Sequence, residues 1–283
     1  MTKVISVGNF KGGVGKTVIS LMFSYVLATK KNKKVLLVDL DPQADVTGKI
    51  KRTFGKEDVM PEEELLEAID KSVESEFKKD ISSTIISVHE NLDVVHGSWD
   101  FEDFPTYIVE QIEDVNARYY LLYTLIQPYI GKYDYIIFDT PPSTHLITTN
   151  AICASDYVLI TTETEESSTG STKKLYNYIG SIIEYNENLK LLGVLPFLKD
   201  KRNKFMLSYI DDLKRDFDND VFENINIFTR RIPTWGRTGI TEHKPFDKKA
   251  LKIFENIVDE AILRIEQKEG NEWKWAIKTS EEK

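Results

Sequence analysis

The stretch VISVGNFKGGVGKTVISLMF, Val4 to Phe23, gathers three glycines, two lysines and a threonine into the seven residues Lys11-Gly12-Gly13-Val14-Gly15-Lys16-Thr17. That combination suits a chain of phosphates. Glycines let the backbone approach an anion and turn several N–H groups towards it. A helix opening near Lys16 adds its positive end. Lys16 would reach β- and γ-phosphates, and the Thr17 hydroxyl would sit on Mg²⁺. The usual spacing, G-x-x-x-x-G-K-[ST], asks for glycine where Phe10 stands, and a second lysine, Lys11, follows it. Two acidic stretches could complete such a site. DLDPQADVTGKI puts Asp39 and Asp41 just beyond the apolar run Val35–Val38, and DTPPS puts Asp139 just beyond Tyr135–Phe138. An aspartate at the end of an apolar strand can hold Mg²⁺, usually through water.

Positioning these groups requires buried strands. Apolar runs without polar alternation occur at Val4–Val7, Val35–Val38, Leu92–Val95, Tyr135–Phe138, Tyr157–Ile160 and Leu191–Leu195. They read as strands covered on both faces. Between them lie predicted helices at Thr17–Lys30, Glu62–Ser72, Phe101–Gln127, Thr169–Glu184, Phe205–Phe217 and Lys248–Glu266. The alternation predicts an α/β fold, a doubly wound, mostly parallel sheet flanked by helices, with its ligand beyond the carboxyl ends of the strands.

Composition narrows the function classes. A 283-residue chain with 41% hydrophobic residues can build a full core. One cysteine, Cys153, permits no internal disulfide and points to a cytoplasmic setting. No signal peptide precedes the first strand, and no apolar run approaches the ~18 residues that span a bilayer. The net charge of −9 argues against a uniformly nucleic-acid-binding surface, but it is uneven. Gly55–Ile81 holds ten acids and four bases; Arg230–Lys252 holds seven bases and two acids.

The motif Lys11-Gly12-Gly13-Val14-Gly15-Lys16-Thr17, with DLDPQAD and YDYIIFDTPPS, resembles the ParA/MinD superfamily of deviant Walker A ATPases over most of residues 1–265. The resemblance implies a P-loop ATPase domain over 1–267, elaborated by a helical region at 55–130, and a tail at 268–283. It implies slow hydrolysis of ATP with Mg²⁺. Lys11 would reach a partner subunit's phosphates, so that ATP joins a homodimer. Asp41 would orient the attacking water, and Asp39 would support the metal and its loop alongside Thr17 and Asp139. Val18 stands where the family usually has a second threonine, which removes one bond near the α-phosphate. Asp200, Arg202 and Pro233 would border the base.

Among the branches, iron–sulfur carriers need a cysteine pair that this chain lacks. The end GNEWKWAIKTSEEK is a poor amphipathic membrane helix. The resemblance is therefore nearest to DNA-partition ParA proteins without an N-terminal helix-turn-helix. It implies non-specific DNA binding through Arg230, Arg231, Arg237, Lys244, Lys248, Lys249 and Lys252, a ParB-like centromere-binding partner, a cytoplasmic, nucleoid-associated location and no stable membrane binding. A MinD-like positioning ATPase acting on membrane or a protein scaffold is the alternative.

Overall fold

Each apolar run forms a strand because its alternate side chains feed two different cores. Val35 and Leu37 face one helical layer, while Leu36 and Val38 face the other. A computed structural model describes residues 1–142, 146–198, 204–227, 231–269 and 275, leaving the side chains of 166–169, 198, 206, 226, 227, 231 and 233 undescribed. The strands are β1 (Lys3–Gly8), β2 (Val35–Asp39), β3 (Ile85–His89), β4 (Leu92–Val95), β5 (Tyr135–Asp139), β6 (Tyr157–Glu163), β7 (Lys190–Leu198) and β8 (Asn226–Ile227). They lie in the order β3-β4-β2-β5-β1-β6-β7-β8. All neighbours pair parallel except β3 and β4, which are antiparallel. The chain winds to one side of β1 through β2 and returns on the other through β6. The carboxyl ends of β1, β2 and β5 thus open together at the place where such sheets hold ligands.

Helices α1 (Lys16–Lys30) and α10 (Pro245–Lys268) close one face around Phe23, Val26, Phe254 and Ile257. Helices α3 (Leu65–Glu74), α4 (Phe104–Gln111), α5 (Leu121–Ile126) and α6 (Leu146–Cys153) close the other around Phe101, Phe104 and Phe138. A third cluster sits under α7 (Glu166–Ser181) and α8 (Lys204–Phe217). Two short helices, α2 (Asp45–Thr53) and α9 (Arg231–Thr238), pack on each other beside α1.

The long helix expected over Phe101–Gln127 is instead two helices. The Asp114 carboxylate accepts hydrogen bonds from the backbone N–H groups of Asn116 and Ala117, at 2.8 and 3.1 Å, and this turn competes with the helical ladder. Trp275 donates its indole N–H to the Leu189 carbonyl at 2.8 Å and stacks near Tyr176, ring centres 5.0 Å apart.

Candidate active site

The glycine loop links β1 to α1. Gly13 and Gly15 have φ of 80° and 90°, a region that a side chain would strain. Gly12 needs no positive φ and is simply exposed. Phe10, in the place of the usual first glycine, turns away from the loop and meets Tyr178 of α7 edge to face, centres 5.5 Å apart. Val14 is buried. The first intrahelical bond of α1 runs from Ile19 N to the Gly15 carbonyl, so the N–H groups of Lys16, Thr17 and Val18 precede the ladder at the positive helix end. The Val18 side chain packs on the core, leaving only its backbone to face an anion.

Lys16 is 6% exposed, and its ammonium donates to the Lys11 carbonyl at 3.0 Å. Burial lowers its pKa to about 8, against the opposing pull of Asp139 and Asp41. Lys11 behaves differently. Its ammonium leaves the loop and pairs with the Glu165 carboxylate, just ahead of α7.

Asp39 and Asp139 lie side by side in the β2–β5 register. Burial, and for Asp39 the neighbouring Asp139, raises both above the ordinary carboxylate range. Asp39 is enclosed. Its Oδ2 accepts from Thr47 N and Oγ1, at 3.0 and 2.7 Å, and its Oδ1 from Asp41 N at 3.2 Å. A Cβ on Gly97 would stand 2.6 Å from the Asp39 Cγ, so this position must stay glycine. Asp39 therefore holds the loop that carries Asp41. Asp41 is half-buried and accepts Gln43 N at 3.0 Å.

Asp139 accepts from Ser20 Oγ at 2.8 Å through Oδ1, whereas its buried Oδ2 has no hydrogen-bond partner among the described residues. A buried carboxylate oxygen left without a donor, beside the Thr17 hydroxyl, suits a hard divalent cation such as Mg²⁺. Next to it, Thr140 Oγ1 donates to the Val7 carbonyl at 2.8 Å and ties the end of β5 to β1.

Of the other expected contacts, Asp200, Arg202 and Arg230 lie outside the described residues, and Arg231 and Pro233 are described only as backbone of α9. Arg237, Lys244, Lys248, Lys249 and Lys252 are all exposed along α9 and the start of α10. Both acids of this segment accept hydrogen bonds. Asp247 is fully buried and accepts from Thr241 Oγ1 and Lys244 N. Glu242 accepts from Tyr25 and Lys30. Glu165 and Ser20 were not visible as site residues in the sequence, because their partners are brought to them only by the sheet order; Thr47 lies eight residues from its partner Asp39, but no motif marked it.

Residues 2–191 match a family model described as an AAA domain. The virulence plasmid ParA family protein pGP5-D of Chlamydia psittaci is 32% identical over 222 residues, covering 78% of this chain and 79% of its own length. The chain belongs to the ParA family. Among solved structures, a putative plasmid partition protein of Borrelia burgdorferi B31 bound to AMPPNP is similar, at 26% identity and a TM-score of 0.72, over 93% of this chain and 99% of that one. Cobyrinic acid a,c-diamide synthase of Mycobacterium smegmatis, bound to ADP and magnesium, is similar in structure at 25% identity and a TM-score of 0.75, over 96% and 98% of the two chains. Among the described residues, no helix is long and apolar enough to cross a membrane.

Proposed function

We propose that this ParA-family chain is an ATPase that dimerises around ATP, binds DNA without sequence preference and segregates plasmid or chromosomal DNA with a ParB-like centromere-binding partner. The observation that carries this reading is the different partnering of the two loop lysines. Lys16 is buried and donates to the Lys11 carbonyl of its own loop, whereas the Lys11 ammonium pairs with Glu165 ahead of α7. Within one subunit the Lys11 ammonium serves an ion pair with Glu165 rather than the phosphate cradle. A subunit facing a copy of itself can offer it to the neighbour's triphosphate, as an arginine finger is offered in trans.

Thr17 and Asp139 would hold Mg²⁺, which supplies charge neutralisation at the β- and γ-phosphate oxygens. Lys16 and the N–H groups at the head of α1 bind the phosphates of their own nucleotide. Asp41, on the loop pinned by Asp39, orients the attacking water and accepts its proton. The Asp41→Ala protein is expected to keep nucleotide affinity, to lower turnover by about 10²–10⁴-fold, and to accumulate as an ATP-bound dimer. Phosphate release and size-exclusion chromatography with light scattering check both parts.

The DNA reading rests on the exposed cations Arg237, Lys244, Lys248 and Lys249; of the two acids in their segment, Asp247 is buried and Glu242 pairs with Lys30. Reversing Lys248 and Lys249 to glutamate is expected to remove ATP-dependent retention on random duplex DNA, and to flatten its salt dependence by about one logarithmic unit per lost phosphate contact. Retention that ignores salt, or that survives the reversal, would place the surface elsewhere. The 72% exposed Phe246, set among these lysines, favours the second reading, a positioning ATPase on membrane or scaffold. Parallel retention assays on liposomes and on DNA decide between them.

A further inference from the structure

Lys11 and Lys16 share one loop yet their ammoniums take different partners, Glu165 and the Lys11 carbonyl, so the backbone at Lys11 must be held in place. Asn9, to which the phosphate-binding reading gives no role, is placed to do this. It follows β1 and is 1% exposed. Its Oδ1 accepts from the backbone N–H of Lys11 at 2.9 Å and from Ser171 Oγ at 2.7 Å. Its Nδ2 donates to the Thr161 carbonyl at 2.7 Å and to Thr172 Oγ1 at 3.4 Å. One side-chain amide thus joins the glycine loop to β6 and to α7.

A buried amide keeps one orientation when its donors and acceptors are filled. Here the N–H of Lys11 fixes which end is oxygen. That bond also gives the Lys11 N–H a partner other than a phosphate, leaving the side chain as the part of Lys11 that can act. The Thr161 carbonyl and the α7 hydroxyls then fix Asn9 in turn, in a part of the sheet that contributes no phosphate ligand. The first turn of the loop is set from behind, independently of the cradle formed by Gly13, Gly15 and the head of α1.

We propose that Asn9 is a positioning residue for Lys11: it locks the start of the loop so that the ammonium projects away from its own nucleotide and towards a second copy of the chain. This rests on the reading that Lys11 acts in trans. Asn9 touches neither the nucleotide nor the reacting atoms, so its loss should separate two properties that a general loosening of the loop would damage together.

The test measures the dimer dissociation constant with AMPPNP by sedimentation, and ADP affinity of the monomer by calorimetry, for the parent, Asn9→Ala, Lys11→Ala and the double variant. Asn9→Ala is expected to weaken dimerisation at least about tenfold more than ADP affinity, the equivalent of a lost hydrogen bond to a positioned group. The double variant should dimerise no worse than Lys11→Ala alone, because both changes remove the same contact. If Lys11→Ala fails to dimerise while Asn9→Ala dimerises like the parent, the positioning role is overturned and the trans reading stands. If Lys11→Ala itself dimerises like the parent, the trans reading falls and the positioning role with it. Equal losses of ADP affinity and dimerisation would make Asn9 a general support of the loop and overturn the proposal. Should Asn9→Ala fold poorly, Ser171→Ala removes one of the four bonds from the α7 side. Selective loss of dimers there supports the proposal, and parent-like dimerisation overturns it.

Discussion

Lys16→Ala protein is expected to lose nucleotide affinity by a factor of about thirty to several thousand, the usual cost of about 2–5 kcal/mol for truncating one partner of a buried charge pair. Lys16 is nearly enclosed, and its ammonium is the cation set against the Asp139 and Asp41 carboxylates. Calorimetry with ADP measures the loss directly, and a near-parent affinity would contradict the cradle. The same burial sets a pH dependence. The folded pKa of about 8 lies below the ordinary 10.5, so the cost of keeping Lys16 charged in the empty site is fully present below pH 8 and fades as pH rises towards the ordinary value. Phosphates select the charged form. ADP affinity measured without Mg²⁺ is therefore expected to be level up to about pH 8, and to fall by up to about tenfold per unit above it.

Lys11→Ala should give the complementary result. Its ammonium makes its contact away from the cradle, on Glu165, so one subunit should still take ADP with little change. ATP-dependent dimers, by contrast, should weaken by about two orders of magnitude, as expected when one member of a desolvated charge contact is removed. Turnover that depends on the dimer should fall with them, by an amount comparable to the loss of a trans arginine, about 10³–10⁵-fold. Light scattering with ATP and with ADP separates the two effects. A variant that still forms ATP dimers at parent concentrations would refute the trans role.

Much of this fold can be read from local pattern. Six of the strands are dominated by apolar residues because helices cover both their faces. The strands that escape notice are those without this property. β3 is an edge strand with Ser87 exposed, and β8 has two residues. The missed helices have equally local causes. α6 is buried along nearly its whole length and carries no amphipathic stripe. α9 contains Pro233 and Gly236, which read as loop. α2 opens directly after the turn-like Asp41-Pro42-Gln43. In the site, the loop, Asp41 and Asp139 are legible because each sits at a fixed offset from a strand end. Ser20 and Glu165 are not, and neither are the bonds that tie Asn9 to β6 and α7, because these partners lie 119 to 163 residues away in sequence and meet only through the strand order.

The burial of Asp247 and the pairing of Glu242 with Lys30 have an electrostatic consequence at larger scale. The molecule is net anionic, yet Arg237, Lys248 and Lys249 are exposed with no carboxylate within ion-pair distance among the described residues. Such a body carries a permanent dipole moment. At separations well beyond the Debye length of about 8–10 Å a polyanion feels little of either charge. Closer in, the field exerts a torque that rotates the cationic face forward before contact, so orientation is selected ahead of binding. A particle built this way should be retained in turn on both anion- and cation-exchange resins, which a uniformly charged sphere of the same net charge would not be.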